Sequence, residues 1–505
     1  MTDLVIIGGG ISGLSAGILA QKQGYKTLIL EKNQMLGGEC TGWNRQGYHI
    51  DNCIHWLVGC NQENPLHQLW SELGVLTADV DLYYEPAFYT LQTEGRTLTF
   101  GRDLERSRAE LLSIAPEDTQ EINAFFDSVR QLECVQPPCE TSPAHMNVFQ
   151  FLKMAMGMRG ASRAYQTYDG MTIAELANRF KNPLIKCMMS AFFPTDFLAI
   201  TLLTSYAFYT SDSAGIPQGG SVGMVRRMLE RYQSLGGLVE YGVDVSAAKV
   251  DAQHLCSVQL KDGRVVTGEA FIWAADPHQL FYEILSEKYL DKNLKTMYEH
   301  PEGYVANTGY QAAFGILGED DLHLPQGSVM FSCEPYMVAG ESKDLCGIRL
   351  YDYDKTLFPA NKRVIQCNVL LNNGTFAYWN SLSKGAYEEE KRALAESLRQ
   401  RIESCFPVLK ERLVLLNTYS PLTFARWCHA YQGAYMSFNA RKGYKSLYVK
   451  STVSGLRNLF LASQWIQTGG GLPIAAASGK FAVQELMKCC PPPKASKRDL
   501  LRAFL

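Results

Sequence analysis

Residues 4–7 form an unbroken apolar run, Leu4, Val5, Ile6 and Ile7, the pattern of a strand covered on both faces. Small and apolar residues then predict a helix over 14–23, closed by Gly24, and a second strand over 26–30. This strand–helix pattern returns twice. Residues 224–233 read as a helix, 238–241 and 243–245 as strands and 270–275 as a buried strand, with a hairpin turning at Lys261, Asp262 and Gly263. Near the end, 459–462 reads as a buried strand and 474–487 as a small-residue helix. The intervening chain has another character. A helix is expected at 65–70, and the alternation over 83–100 around Glu94 and Gly95 predicts a hairpin. Helices are expected to open at Asp103 and at 113–118, and Thr172 with Glu175 has the order of a capping box. Residues 184–210 are a long apolar helical region broken at Pro194. Beyond 278, helices alternate with strands such as 305–315 and 364–371, and a helix laced with Glu and Arg fills 387–405.

Gly8, Gly10 and Gly13 stand between the first strand and its helix with the spacing G-x-G-x-x-G. Gly8 allows a tight turn, Gly10 lets a pyrophosphate approach the backbone, and Gly13 lets helix and strand pack closely. The helix N-terminus, at Ile11 and Ser12, offers free N–H groups and a positive dipole end to phosphates. Glu31, 18 residues after Gly13 and followed by Lys32, can accept hydrogen bonds from a ribose diol. A second glycine pair, Gly37 and Gly38, comes 6 residues later.

A chain of 505 residues is long enough for two or three domains. Its 46% hydrophobic and 20% charged content is that of an ordinary globule, and a net charge of −3 points to no polyanion, so no nucleic-acid partner is expected. The 14 cysteines have neither disulfide-framework nor zinc spacing and read as reduced thiols, and no metal is expected. The first apolar run enters the glycine loop directly, unlike a signal peptide. The uncharged helical stretch 197–211 is shorter than the ~20 residues of a membrane span. A cytoplasmic protein without a spanning helix is expected.

The stretch Leu30-Glu31-Lys32, Leu36-Gly37-Gly38 and Ile50-Asp51-Asn52-Cys53-Ile54-His55-Trp56 resembles the phytoene desaturase, carotenoid isomerase and retinol saturase superfamily. The Ile54-His55-Trp56 piece resembles the retinol saturase branch most. The resemblance spans nearly the whole chain. It implies an α/β fold with a discontinuous FAD-binding Rossmann-type domain at 1–78, 216–280 and 437–490. A substrate domain of mixed sheet and helices is inserted at 79–215 and 281–436, and a basic tail occupies 491–505. FAD would be held non-covalently. The resemblance puts the backbone of Val245 at the adenine edge. It puts Gly470, Gly471, Leu472, Pro473 and Ile474 at the flavin, where a helix N-terminus meets the negative side of the reduced ring. Two positions depart from the pattern. Glu39 stands where the family often has Arg, and Ser463 and Gln464 stand where Gly and an acid are common. Gln464 is expected to hydrogen-bond the ribityl or phosphate region.

One dinucleotide fingerprint and no C-x-x-C pair imply that FAD exchanges electrons directly with the substrate. The outside partner stays open among oxygen, a quinone, a transiently bound nicotinamide and another redox protein. The activity implied is that of an oxidoreductase on carbon–carbon bonds of an apolar polyene, isoprenoid or acyl chain, with saturation, desaturation and isomerisation sharing one site. His55 is the first candidate for a polar residue at the flavin, ahead of Tyr435 and His429. An amine oxidase-like flavoenzyme and a flavin-holding scaffold without turnover are the alternatives. Residues 149–159 hold three methionines, two phenylalanines and two cations. They read either as a core helix or as a mobile lip at a lipid-facing entrance. The tail sets Lys494, Lys497, Arg498 and Arg502 among Leu500, Leu501, Phe504 and Leu505, as a frayed end or a basic amphipathic anchor. On the second readings the protein would touch a membrane peripherally.

Overall fold

The strand Leu4–Ile7, buried along its whole length, is the middle of a parallel five-stranded sheet. The order is Leu238–Tyr241, Thr27–Glu31, Leu4–Ile7, Ala270–Trp273, Leu459–Leu461. The structure is a computed structural model that describes residues 3–318, 324 and 326–492. The basic tail from Lys494 to Leu505, with the anchor expected there, lies outside the described residues. The chain thus returns to one sheet from three separated stretches, and the fold is the α/β, Rossmann-type one with a mixed-sheet and helical insertion.

The first helix is Ile11–Lys22 and begins three residues before the apolar pattern indicates. Its first turn is Ile11, Ser12 and Gly13, all buried, so no polar face marks the start. Gly8 has φ +100°, and a Cβ on Gly13 would lie 2.0 Å from the Gly8 carbonyl oxygen. The last helix, Gly471–Cys489, crosses the first at equally short range. A Cβ on Gly479 would lie 2.7 Å from Ser12 O and Ala16 N. Ser15 Oγ donates to Ala476 O at 2.7 Å across this crossing.

The second sheet has eight strands. Its path is Leu413–Tyr419, Tyr304–Ile316, Val364–Asn372, Glu341–Tyr351, Ser328–Val338, Ala87–Thr93, Arg96–Gly101, with Phe438–Ala440 paired to the start of Tyr304–Ile316. All neighbours are antiparallel except Ser328–Val338 beside Ala87–Thr93. Alternate residues serve opposite faces. Tyr310, Ala312, Phe314 and Cys367 pack with Leu394, Leu398 and Ile402 of the helix Lys384–Cys405. Gly309, Gln311, Arg349 and Asn368 turn the other way, toward the cavity described below. A third cluster joins Phe88 and Phe100 of the hairpin to Phe125, Phe126 and Tyr206 of the covering helices. The apolar region 184–210 is two helices, Pro183–Ser190 and Ala199–Thr210, parted around Pro194. The strand expected at 243–245 is instead the turn into Val245–Asp251.

The helix Val148–Gly157 overturns the core reading of that stretch. Val148 is 72%, Phe149 83% and Phe151 56% exposed, while Met154 and Met158 reach the cavity. Asn147 and Gln150 cap its start reciprocally, so the helix is held in place by local chemistry and not by burial of its apolar face.

The crossing of the two terminal helices generates a prediction. Gly479→Val should lower stability by about 1–3 kcal/mol, because the clashing atoms are largely backbone. Gly385→Ala, in a helix with open space around it, should leave stability equal or raise it by about 0.5–1 kcal/mol. Denaturant unfolding of the two variants checks the contrast.

Candidate functional site

One cavity of about 1290 Å³ collects every position singled out from the sequence except Gly13, which sits behind the loop against Gly8. Gly8, Gly10, Ile11, Ser12, Glu31, Lys32, Gly37, Gly38, Glu39 and Val245 line one part. Ser463, Gln464, Gly470, Gly471, Leu472, Pro473 and Ile474 line another, and His55, Tyr435 and His429 are distributed between them.

Two helix N-termini open into this cavity, at Gly10 and at Gly470, and neither N-cap residue carries a capping side chain. The first leaves backbone N–H groups needing acceptors in a buried place; at the second, Gln464 takes the Gly471 N–H and Pro473 has none. A Cβ on Gly10 would meet nothing nearer than 3.9 Å. Protein contacts alone therefore do not require glycine there, and the backbone is open to a ligand's approach. Gly469, Gly470 and Gly471 all have positive φ, a run of backbone that only glycine adopts freely. These features fit a dinucleotide with its pyrophosphate at the first helix.

The glutamate after the second strand also serves the protein. Glu31 Oε2 accepts from Gly9 N and Oε1 from Asn33 N, both at 2.8 Å. Burial raises its pKa against those bonds. Each oxygen keeps a further lone pair for a ribose. Lys32, its pKa lowered by burial, donates to Arg426 O at 2.8 Å. Gln464 differs from expectation. Its Oε1 accepts from Gly471 N at 2.9 Å and its Nε2 donates to Tyr435 O at 3.2 Å. Its amide braces the glycine loop, and it lines the cavity. Ser463 Oγ accepts from Trp465 N at 3.5 Å, the start of a single turn.

His55 and Asn368 meet at 2.8 Å, Nε2 to Nδ2. The amide donates, so the ring proton sits on Nδ1. Burial and the nearby Arg349 push the His55 pKa down to about 3. At neutral pH it is a neutral imidazole with its Nε2 lone pair in use. Arg349 donates to His55 O at 2.6 Å and pairs with Glu85 at 2.7 Å, tying the loop to the large sheet. Tyr435 keeps its proton, since burial raises its pKa. His429 lies elsewhere. Its Nε2 is 3.2 Å from Asp244 Oδ2, one residue from Val245, at the nucleotide end. Burial works to raise the Asp244 pKa, yet His429 and Lys261 hold it at about 2. The sequence reading missed Asp244, Asn33, Trp427 and Asn368. For Asn368 a signal existed: Asn307 and Gln311 on one strand and Asn368 and Asn372 on the next recur at even spacing, as a polar sheet face does.

Glu39 has both carboxyl oxygens buried without a hydrogen-bond partner. Burial raises its pKa to about 8, with only the Cys428 thiol acting against it. The side wall is apolar: Trp56, Phe192, Phe193, Phe197, Phe208, Met154 and Met158. Among the described residues no group of three or more His, Cys, Asp and Glu could hold a metal ion. No helix among them is long and apolar enough to cross a membrane.

Comparison with known proteins agrees with this layout. Residues 6–73 match the NAD(P)-binding Rossmann-like domain. The inactive all-trans-retinol 13,14-reductase of Danio rerio is 22% identical over 93% of this chain and 83% of its own length. The lycopene-forming phytoene desaturase of Pseudescherichia vulneris is 23% identical over 95% of this chain and 98% of its own. A solved structure of a putrescine oxidase triple mutant superposes with TM-score 0.60 at 16% identity, over 96% of this chain and 98% of that one; it shares the fold.

The neutral carboxyl of Glu39 predicts a pH effect. Its folded pKa is raised from 4.5 to about 8. Its contribution to stability is therefore full below about pH 4.5 and is lost as pH rises toward 8, where the folded state must ionise a buried group. Glu39→Gln should be more stable than the parent by about 1–3 kcal/mol at pH 8 to 9 and similar to it near pH 4.5. Melting temperatures across this range measure it.

Proposed function

Taking the chain as a member of the phytoene desaturase, carotenoid isomerase and retinol saturase superfamily, we propose that it is an FAD-dependent oxidoreductase acting on carbon–carbon bonds of an apolar polyene, isoprenoid or acyl chain. The observation that carries this reading is the continuity of one cavity, from two helix N-termini to a wall of aromatic and methionine side chains. A bound flavin would supply two-electron exchange with the substrate. The chain's own residues would do the rest. Gly8 to Ser12 and Glu31 hold the nucleotide, and the turn 470–474 holds the flavin end. Trp56, Phe192, Phe193 and Phe197 keep the chain flat and dry. His55, neutral and bonded to Asn368, fixes the loop and the amide beside it. Tyr435 carries a hydroxyl proton at the flavin end. The carboxy-terminal turn has no Cys, His or Tyr for a covalent link, so FAD is bound non-covalently.

The exposed helix Val148–Gly157 gives the substrate a route. Its outer side shows Phe149, Phe151, Leu152 and Met156, its inner side Met154 and Met158, and exposed Arg159 and Arg163 follow. An apolar face of this kind, flanked by cations, suits the surface of an anionic bilayer. The protein is then a peripheral one that draws its substrate from lipid.

Purified protein should carry yellow flavin that acid precipitation releases into the supernatant. Anaerobic incubation with polyenes or isoprenoids in detergent should bleach the oxidised flavin or reoxidise the reduced one. Hydrogen peroxide and an aldehyde formed from an amine would instead favour an amine oxidase, and a chain that binds flavin without turnover would be a scaffold. Flotation with anionic liposomes tests the route: Phe149→Ser with Phe151→Ser should reduce binding about tenfold or more, since two large apolar side chains are withdrawn. Undiminished flotation of that variant, or none by the parent, contradicts the membrane face.

A further inference from the structure

The helix Pro421–Cys428 follows the edge strand Leu413–Tyr419 of the large sheet. Its last turn does not stay with that sheet. Asn33 Nδ2 donates to Trp427 O at 3.1 Å, and Lys32 Nζ donates to Arg426 O. These are the free carbonyls of a helix C-terminus, met by an amide and a cation. Trp427 Nε1 donates to Gly38 O at 3.1 Å. His429 has φ +55°, a left-handed turn that disfavours a residue with a Cβ. That turn delivers its ring to Asp244, which Lys261 also holds at 2.6 Å. Two residues on, Tyr431 N donates to Asp276 Oδ2 at 2.6 Å.

Residues 426–431 therefore run from the loop after Thr27–Glu31 to the turn before Val245, and tie to both. Trp427, Cys428, His429 and Ala430 line the cavity at the same end as Glu31 and Val245. A left-handed histidine at this place does nothing for the large sheet, and the three side-chain ties to Asn33, Gly38 and Asp244 all cross to the nucleotide side.

We infer that residues 426–431 are a clasp over the nucleotide half of the cofactor, which leaves only when the ties of Trp427 and His429 open. The inference rests on the reading of the site as an FAD site. His429 and Trp427 are positioning residues in it: they set how long the cofactor stays, and take no part in electron or proton transfer. The clasp continues into the 431–435 turn that bears Tyr435, so cofactor retention and the substrate wall share one segment of chain.

The test uses the full-length protein loaded with FAD. Release is followed by recovery of flavin fluorescence after dilution, and rebinding by its quenching. Trp427→Phe removes one donor and keeps the ring. His429→Gly removes the tie to Asp244 and relieves the left-handed strain, so the apoprotein should melt no lower than the parent. Each variant should release FAD about five- to tenfold faster, the double variant faster still, with rebinding rates changed less than about threefold. A double variant that binds one FAD and releases it at the parental rate overturns the clasp and leaves the flavin site standing. If the parent protein itself takes up no FAD, the flavin reading fails, and the clasp fails with it.

Discussion

The close crossing of the first and last helices governs the rest of the molecule. Ser15 and Ala476 touch although 461 residues separate them in the chain. The contact exists because Gly479 leaves no Cβ in the way. A helix carries its N–H groups at a fixed end, so the crossing aims two sets of them into one cavity. Burying such groups unpaired costs about 1–3 kcal/mol each. The parallel sheet and the glycine loops keep these two ends at the same cavity.

Along the cavity the electrostatic environment changes in a way that separates tasks. At the end near Glu31 and Val245, charges are paired: Asp244 with Lys261, Lys32 against a helix C-terminus. Near Glu39 no cation answers the carboxyl, and burial keeps it protonated. Beyond, His55 is neutral for the same reason, and the wall becomes aromatic. The Arg349 guanidinium that also reaches this part is answered by Glu85, so no unpaired charge stands beside His55. The replacement of an expected arginine by Glu39 fits that trend: it removes a fixed positive charge without introducing a negative one.

Much of this was legible in the sequence, and the reasons are local. Leu4 to Ile7, the three glycines and Glu31 form a short motif whose parts constrain one another within thirty-odd residues, so pattern and chemistry agree. The return of the chain to the parallel sheet was legible because buried parallel strands are apolar without interruption. What escaped depends on contacts far apart in the chain. Gln464 was expected to reach outward, yet its two amide ends are taken by Gly471 and Tyr435, and nothing in the sequence reveals that. His429 was a candidate for the reacting end; the fold sets it instead against Asp244, in the turn before Val245–Asp251. The helix Val148–Gly157 has a composition equally suited to core and surface, and its exposure is decided by what does not cover it.

The most direct measurement of the central claim is the competition of nucleotide fragments for the apoprotein. If two helix N-termini face one dinucleotide, FAD should bind one per chain, ADP should displace it by occupying the half at Gly10 and Glu31, and FMN alone should bind far more weakly than FAD. Equilibrium dialysis with the three nucleotides gives the answer. Tight binding of FMN that ADP does not disturb, or no binding of FAD, would contradict the account.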